Sequence, residues 1–241
     1  MQRRAARLQR RITAYHEAAH AVLAFRFGVP VEEVALCLTG RLAGYVKFSA
    51  KPLMSAVEAS LCECTSQLEW ALLVRDTEQR AMVLLAGSLA EAKLLGTPLR
   101  SNGCESDLRK CLQLCYALCG YREHLVETAA MSLPKIDPAE MADRLRRGTQ
   151  RILAHPNTWR AVTTLARDLE GWGVLTGHDS AETIQWSGRI RNQLTLLLPM
   201  PRSTSRKPRR STQRAPRLAR TSIVRLGTTR TTEPLSHTRS F

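Results

Sequence analysis

Between residues 8 and 27 the apolar side chains fall at Leu8, Ile12, Tyr15, Ala19, Val22, Leu23 and Phe27. That i, i+3, i+4, i+7 rhythm predicts an amphipathic helix, and Gly28 followed by Val29-Pro30 supplies its stop. Two short β-prone runs, 34–38 and 44–48, bracket Thr39-Gly40-Arg41 and predict a strand pair or hairpin. Helical periodicity returns from about Ser55 to Gly96. It is expected as two helices, the second from Thr77 to Leu95, ended by Gly96, Thr97 and Pro98. A loop at Arg100-Ser101-Asn102-Gly103 leads into a helix over 105–119, and further helices are expected at 137–153 and 157–172, the last entered through Pro156-Asn157. The expected fold is mainly α with one small β-hairpin. No internal repeat is present.

Charge divides the chain where periodicity does. The sequence has 36 Lys and Arg against 21 Asp and Glu, a formal net charge of +15. Eleven of the bases, against the single acid Glu233, lie from Pro199 onward, where Pro, Ser, Thr and Arg replace any apolar rhythm. Five more, Arg3, Arg4, Arg7, Arg10 and Arg11, crowd the first eleven residues. Residues 12–198 are left with 20 bases and 20 acids. The expected organisation is a basic N-terminal lead (1–11), a neutral folded domain (12–198) and a basic disordered tail (199–241). The tail's charge suits nucleic acid or an anionic surface, but no aromatic interleaving accompanies it, so a solvated extension is the favoured reading.

The seven cysteines form no disulfide framework, which points to a reducing compartment. No run approaches the roughly 18 uncharged apolar residues of a spanning helix, and the apolar stretch behind the basic start is broken by His16, Glu17 and His20. A cytoplasmic protein is expected.

Those three interrupting residues carry the chemistry. His16-Glu17-Ala18-Ala19-His20 is an H-E-x-x-H sequence within the predicted first helix. Residues four apart share a helical face, so both imidazoles can address one Zn²⁺, and Glu17 can take a proton from water and deliver it to a leaving amine. At this composition about 0.01 chance matches are expected. A catalytic zinc needs a third protein ligand. The close-range Gly and His of the metzincin pattern are replaced by Leu23 and Arg26, which leaves Glu91, Asp107 and His124 as the main candidates.

The motif and its surroundings resemble a known family. Ala14-Tyr15-His16-Glu17-Ala18-Ala19-His20-Ala21 is similar to the zinc helix of the FtsH-type ATP-dependent metallopeptidases. Three more stretches follow in that family's order, Arg41–Tyr45, Leu85–Glu91 and Gly103–Leu108, and the resemblance closes in Gly173-Val174-Leu175-Thr176-Gly177, covering roughly 12–185. It implies an FtsH peptidase-like helical domain in which Zn²⁺ is held by His16, His20 and Asp107, with Glu17 catalytic and Glu91 supporting the site from behind. It also implies that an extended substrate lies along a strand edge at Gly44 and Tyr45, which suits broad specificity toward unfolded polypeptides. A ring-shaped homo-oligomer, hexameric in the expectation from the family, goes with it.

Departures from the family pattern qualify these expectations. Ala19 stands where the family usually has Gly, and the spacing from His20 to Asp107 suggests an insertion around 50–68. No G-x-x-x-x-G-K-[ST] occurs, nor any Gly-Lys dipeptide, so ATP binding by that route is not expected. The peptidase should act on flexible chains or borrow a separate ATPase or unfoldase. The rival expectation is a catalytically inactive FtsH-peptidase-like binding or regulatory module.

The remaining constellations read as structural. Cys104, Cys111, Cys115 and Cys119 lack the paired spacing of a zinc cluster and are expected as small buried hydrophobes; Cys62 and Cys64 are assigned no chemistry. His124, His155 and His178 are expected as capping or surface residues, and Trp159, Trp172 and Trp186 as core or interface.

Overall fold

The structure, a computed structural model, describes residues 2–37, 44–49, 64, 66–97, 101–128 and 131–188, all within the unit Met1–Met200. The expected tail and most of the expected insertion around 50–68 lie outside these residues. Helix α1 runs Gln2–Phe27, so the basic lead is its first turns, continuous with the H-E-x-x-H motif. Beyond Thr13 it is buried on nearly all sides through Ala14, Ala18, Ala19, Ala21, Val22 and Leu23. Small residues there let neighbouring helices approach closely. Gly28, at φ 76, closes α1 in the left-handed conformation, with Val29 N–H donating to the Ala24 carbonyl at 2.8 Å.

The expected hairpin is present as β1 (Val31–Leu36) and β2 (Gly44–Phe48), antiparallel with Val34 opposite Val46. β1 starts three residues earlier than the apolar run suggests, because the charged Glu32 and Glu33 mask the strand signal. A third strand, β3 (Val174–Thr176), pairs antiparallel with β1, giving the order β2-β1-β3. Three residues are too few to announce a strand by periodicity.

Helix α2 spans Gln67–Leu95 without a break across the junction expected at Thr77, while the start of the first expected helix, from Ser55, lies outside the described residues. The reason is Thr77. Fully buried at the expected junction, it donates its hydroxyl to the Leu73 carbonyl at 2.8 Å and so satisfies itself inside a continuous helix. Ser66 caps the start by accepting from Glu69 N–H, and Gly96 at φ 61 ends it. Helix α3 runs Ser101–Thr128, longer at both ends than expected. It continues through Gly120, after which Tyr121 packs on Trp70 of α2 with ring centroids 6.5 Å apart. Helices α4 (Pro138–Ala154) and α5 (Pro156–Trp172) match expectation, with Asp137 and His155 as their caps and Pro at each first turn. Helix α6 (Gly177–Gly188) was not expected.

α1 is the central element, packed chiefly on α2 and α5. Leu23, Leu85, Leu114, Leu145 and Leu165 fill the core between the helices. Among the described residues no helix is long and apolar enough to cross a membrane.

Candidate metal centre

Two rows of residues at four-residue spacing meet where α1 crosses α2. From α1 come His16 and His20; from α2 come Val83, Gly87 and Glu91. Each histidine is held by its Nδ1. His16 Nδ1–H donates to Glu91 Oε1 at 2.7 Å, and His20 Nδ1–H donates to the Val83 carbonyl at 2.7 Å. Both partners accept, so both Nδ1 atoms carry a hydrogen, and the two Nε2 atoms are left to face each other.

Those two Nε2 atoms lie 2.9 Å apart, and Asp107 Oδ2 of α3 completes the triangle at 3.2 Å from His16 and 3.4 Å from His20. Three potential ligand atoms therefore converge on one small space, an arrangement that needs a shared proton or a cation to offset their mutual repulsion. A tetrahedral ion with bonds of about 2.0–2.1 Å separates its ligand atoms by about 3.3 Å, which the measured edges approach. His16, His20 and Asp107 thus form a group that could hold a metal ion, and two imidazoles with one carboxylate are a donor set suited to zinc.

The backbone makes room for this convergence at Gly87. A Cβ there would lie 2.5 Å from His20 Nε2 and 2.6 Å from His16 Nε2. Only glycine lets α2 pass so close to both Nε2 atoms. Glu17, one residue along α1, is buried against the sheet, and a Cβ on Gly44 of β2 would meet its Cγ at 2.7 Å. A hairpin glycine and a helix glycine therefore flank the site from two sides.

The electrostatics follow from burial and crowding. Burial lowers the affinity of His16 for a proton, but hydrogen bonds to Asp107 and Glu91 and the nearby Glu17 outweigh it and hold His16 up at about 10. Asp107 is penalised by burial, yet its bonds to His16 and His20 keep its carboxyl far below the usual carboxylate range. Burial pushes Glu17 upward, opposed by His20 and His16 and aided by Asp107 and Glu91. A carboxylate raised in this way is suited to exchanging protons nearer neutrality.

Among the three candidates for a third ligand, the structure joins Asp107 to the histidine pair and puts Glu91 behind His16. His124 stacks beside Tyr121, ring centroids 6.0 Å apart, and takes no part. Gly44 faces Glu17, whereas Tyr45 points to the other side of the strand, 38% exposed, and donates its hydroxyl to Glu33. The site also uses two residues to which the sequence reading assigned no role, the Val83 carbonyl and Gly87. Their signal was present as spacing, since Val83, Gly87 and Glu91 recur every four residues on one helical face.

The other cysteines and histidines keep structural roles. Among the described residues Cys111 and Cys115 are buried, Cys119 donates to the Ile136 carbonyl, and no cysteine joins the metal group, while Cys62 and the side chain of Cys104 lie outside them; His155 Nδ1 accepts from Asn157 N–H at the start of α5. Trp159 packs on Tyr15 and beneath Lys93, while Trp172 and Trp186 are 80% and 77% exposed. No protein-family model and no curated protein matches this chain.

Proposed function

We propose that this chain is a zinc-dependent metalloendopeptidase, similar to the proteolytic part of the FtsH-type proteases, that hydrolyses peptide bonds of unfolded or flexible polypeptides. The observation that carries this reading is the convergence of His16 Nε2, His20 Nε2 and Asp107 Oδ2 within 3.4 Å of one another, with the buried Glu17, whose proton affinity burial raises, beside them. Zinc in that position would supply Lewis-acid chemistry, polarising the scissile carbonyl and acidifying water enough for attack near neutral pH. Glu17 takes the proton that the attacking water gives up and passes it to the departing amine as the C–N bond breaks. Glu91 and the Val83 carbonyl fix the tautomer and orientation of the two imidazoles.

The sheet supports the substrate side of the proposal. β2 is an edge strand, and its first residue, Gly44, abuts Glu17. An extended polypeptide added to that edge through backbone hydrogen bonds would run past the general base with little demand on its side chains. A homo-oligomeric ring and a separate unfoldase partner belong to the same proposal.

Metal analysis of the purified chain and degradation of unfolded casein, run on wild type and Glu17→Gln, test it together. The expected result is one zinc per chain in both proteins, casein cleavage by wild type without added ATP, and a loss of roughly 10²–10⁴ in rate for the variant. Zinc held by a wild type that cleaves nothing would replace the peptidase reading with a binding module, and absence of zinc would overturn both.

A further inference from the structure

Two turns before Glu17 on α1 there is a cavity of about 490 Å³, lined by Arg7, Gln9, Arg10 and Thr13 of the helix and by Leu36 and Cys37 at the end of β1. Its two charges are both positive. Arg10 is partly buried and anchored, Nη2 donating to the Glu170 carbonyl at 2.8 Å, and its buried Nε has no partner. Neither Arg10 nor Arg7 enters an ion pair among the described residues. A guanidinium drawn out of water and neutralised by no carboxylate is costly, and a bound anion removes that cost.

The cavity's position ties it to the site. Arg10 and Glu17 are seven residues apart, so they share a helical face about 10 Å apart along the axis, with Thr13 between them. Leu36 and Cys37 directly follow Ala35, whose carbonyl crowds the same Gly44 Cα that faces Glu17. Leu36, which lines the cavity, pairs with Gly44, the residue that abuts Glu17, so the cavity lies beside the strand pair next to the general base.

We propose that this cavity is a specificity pocket for the carboxylate of an acidic side chain in the polypeptide being cleaved. Arg10, held in place by Glu170, receives the carboxylate, and Arg7 adds a second positive charge at the mouth. Substrates with Asp or Glu within a few residues of the scissile bond are preferred over their amides. The inference rests on the peptidase reading for its substrate, but binding tests it apart from turnover.

Two measurements on the full zinc-loaded chain decide it. In the first, peptides that scan Glu against Gln through each position are offered as substrates, and one position should favour Glu by about tenfold or more. In the second, Glu17→Gln is titrated with the same Glu and Gln peptides labelled for fluorescence anisotropy, and the Glu peptide should bind about tenfold tighter. Both ratios should fall to about one in Arg10→Gln and recover partly in Arg10→Lys, with unchanged thermal melts certifying the fold. Equal handling of Glu and Gln peptides by wild type, or a preference that survives Arg10→Gln, overturns the pocket. If the wild type cleaves nothing while the binding preference appears and depends on Arg10, the pocket stands and the peptidase reading falls.

Discussion

Gly87→Ala adds one methyl group to the middle of α2 at the point where that helix passes the histidine pair. The new Cβ would lie 2.5 Å from His20 Nε2 and 2.6 Å from His16 Nε2, whereas such contacts do not close below 3.0 Å. Each ring must therefore withdraw by about 0.5 Å or α2 must move, while metal–ligand distances tolerate only about 0.2 Å. Neither ring is free to swing, because each is tied through Nδ1 to α2 itself, at Glu91 and at Val83. Zinc affinity should fall by more than the ~10–100-fold that follows loss of an outer hydrogen-bond partner. Helix propensity acts the other way, favouring alanine by about 0.5–1 kcal/mol, so a weakened α2 would not account for the loss. Gly120→Ala on α3, where a Cβ meets nothing within 4 Å, is the matched control and should stabilise the fold with unchanged zinc affinity. Competition with a chelating dye gives the affinities, and melts with and without chelator separate metal loss from unfolding. A wild-type zinc affinity in Gly87→Ala would refute the assigned ligand geometry.

Three further outcomes follow from the same contacts. Glu91→Ala removes the acceptor on His16 Nδ1 and should weaken zinc about 10–100-fold, with Glu91→Gln milder because its amide oxygen still accepts; equal affinities in all three chelator titrations would contradict this. In the metal-free chain His16 is raised from 6.5 to about 10, so its stabilising contribution is complete below pH 6.5 and fades as pH rises through about 10. The metal-free melting temperature should fall over that window, while zinc affinity rises over it and binding near pH 8 releases a proton from His16, measurable by calorimetry in buffers of different ionisation enthalpy; an affinity that falls with pH would sink the assignment. Gly177→Ala would drive a Cβ into the Val31 carbonyl where α6 meets β1, and should destabilise the fold by roughly 1–3 kcal/mol, against which an unchanged denaturation midpoint would count.

The legible half of the site is the half written in one helix. His16 and His20 announce themselves through spacing alone, since four residues bring them to one face whatever surrounds them. Glu91, Val83 and Gly87 also share a face, but nothing in their identities says which helix that face meets, and a backbone carbonyl has no sequence signature. Asp107 lies 87 positions beyond His20 in the chain and reaches it only through the packing of α3 on α2. Local devices misled the reading of the fold in the same way. Thr77 looks like an interruption until its hydroxyl finds Leu73, and β3 is a strand only because β1 offers it an edge.

What unites the site is a charge imbalance that the fold does not resolve by itself. Glu17, Glu91 and Asp107 bring three carboxylates to two imidazoles whose Nδ1 atoms are already committed. Lys110 stands 3.8 Å from Asp107, half-exposed at the rim, where screening leaves it little weight. Without further positive charge this crowding holds His16 protonated up to about 10, and burial raises the affinity of Glu17 for a proton. A divalent ion placed among the two Nε2 atoms and Asp107 Oδ2 supplies that charge and displaces the proton from His16. Glu17, which is not among the three ligand atoms, would remain available to exchange protons. The same arrangement thus explains why two histidines face each other at 2.9 Å and why the neighbouring carboxylate is suited to act as a base.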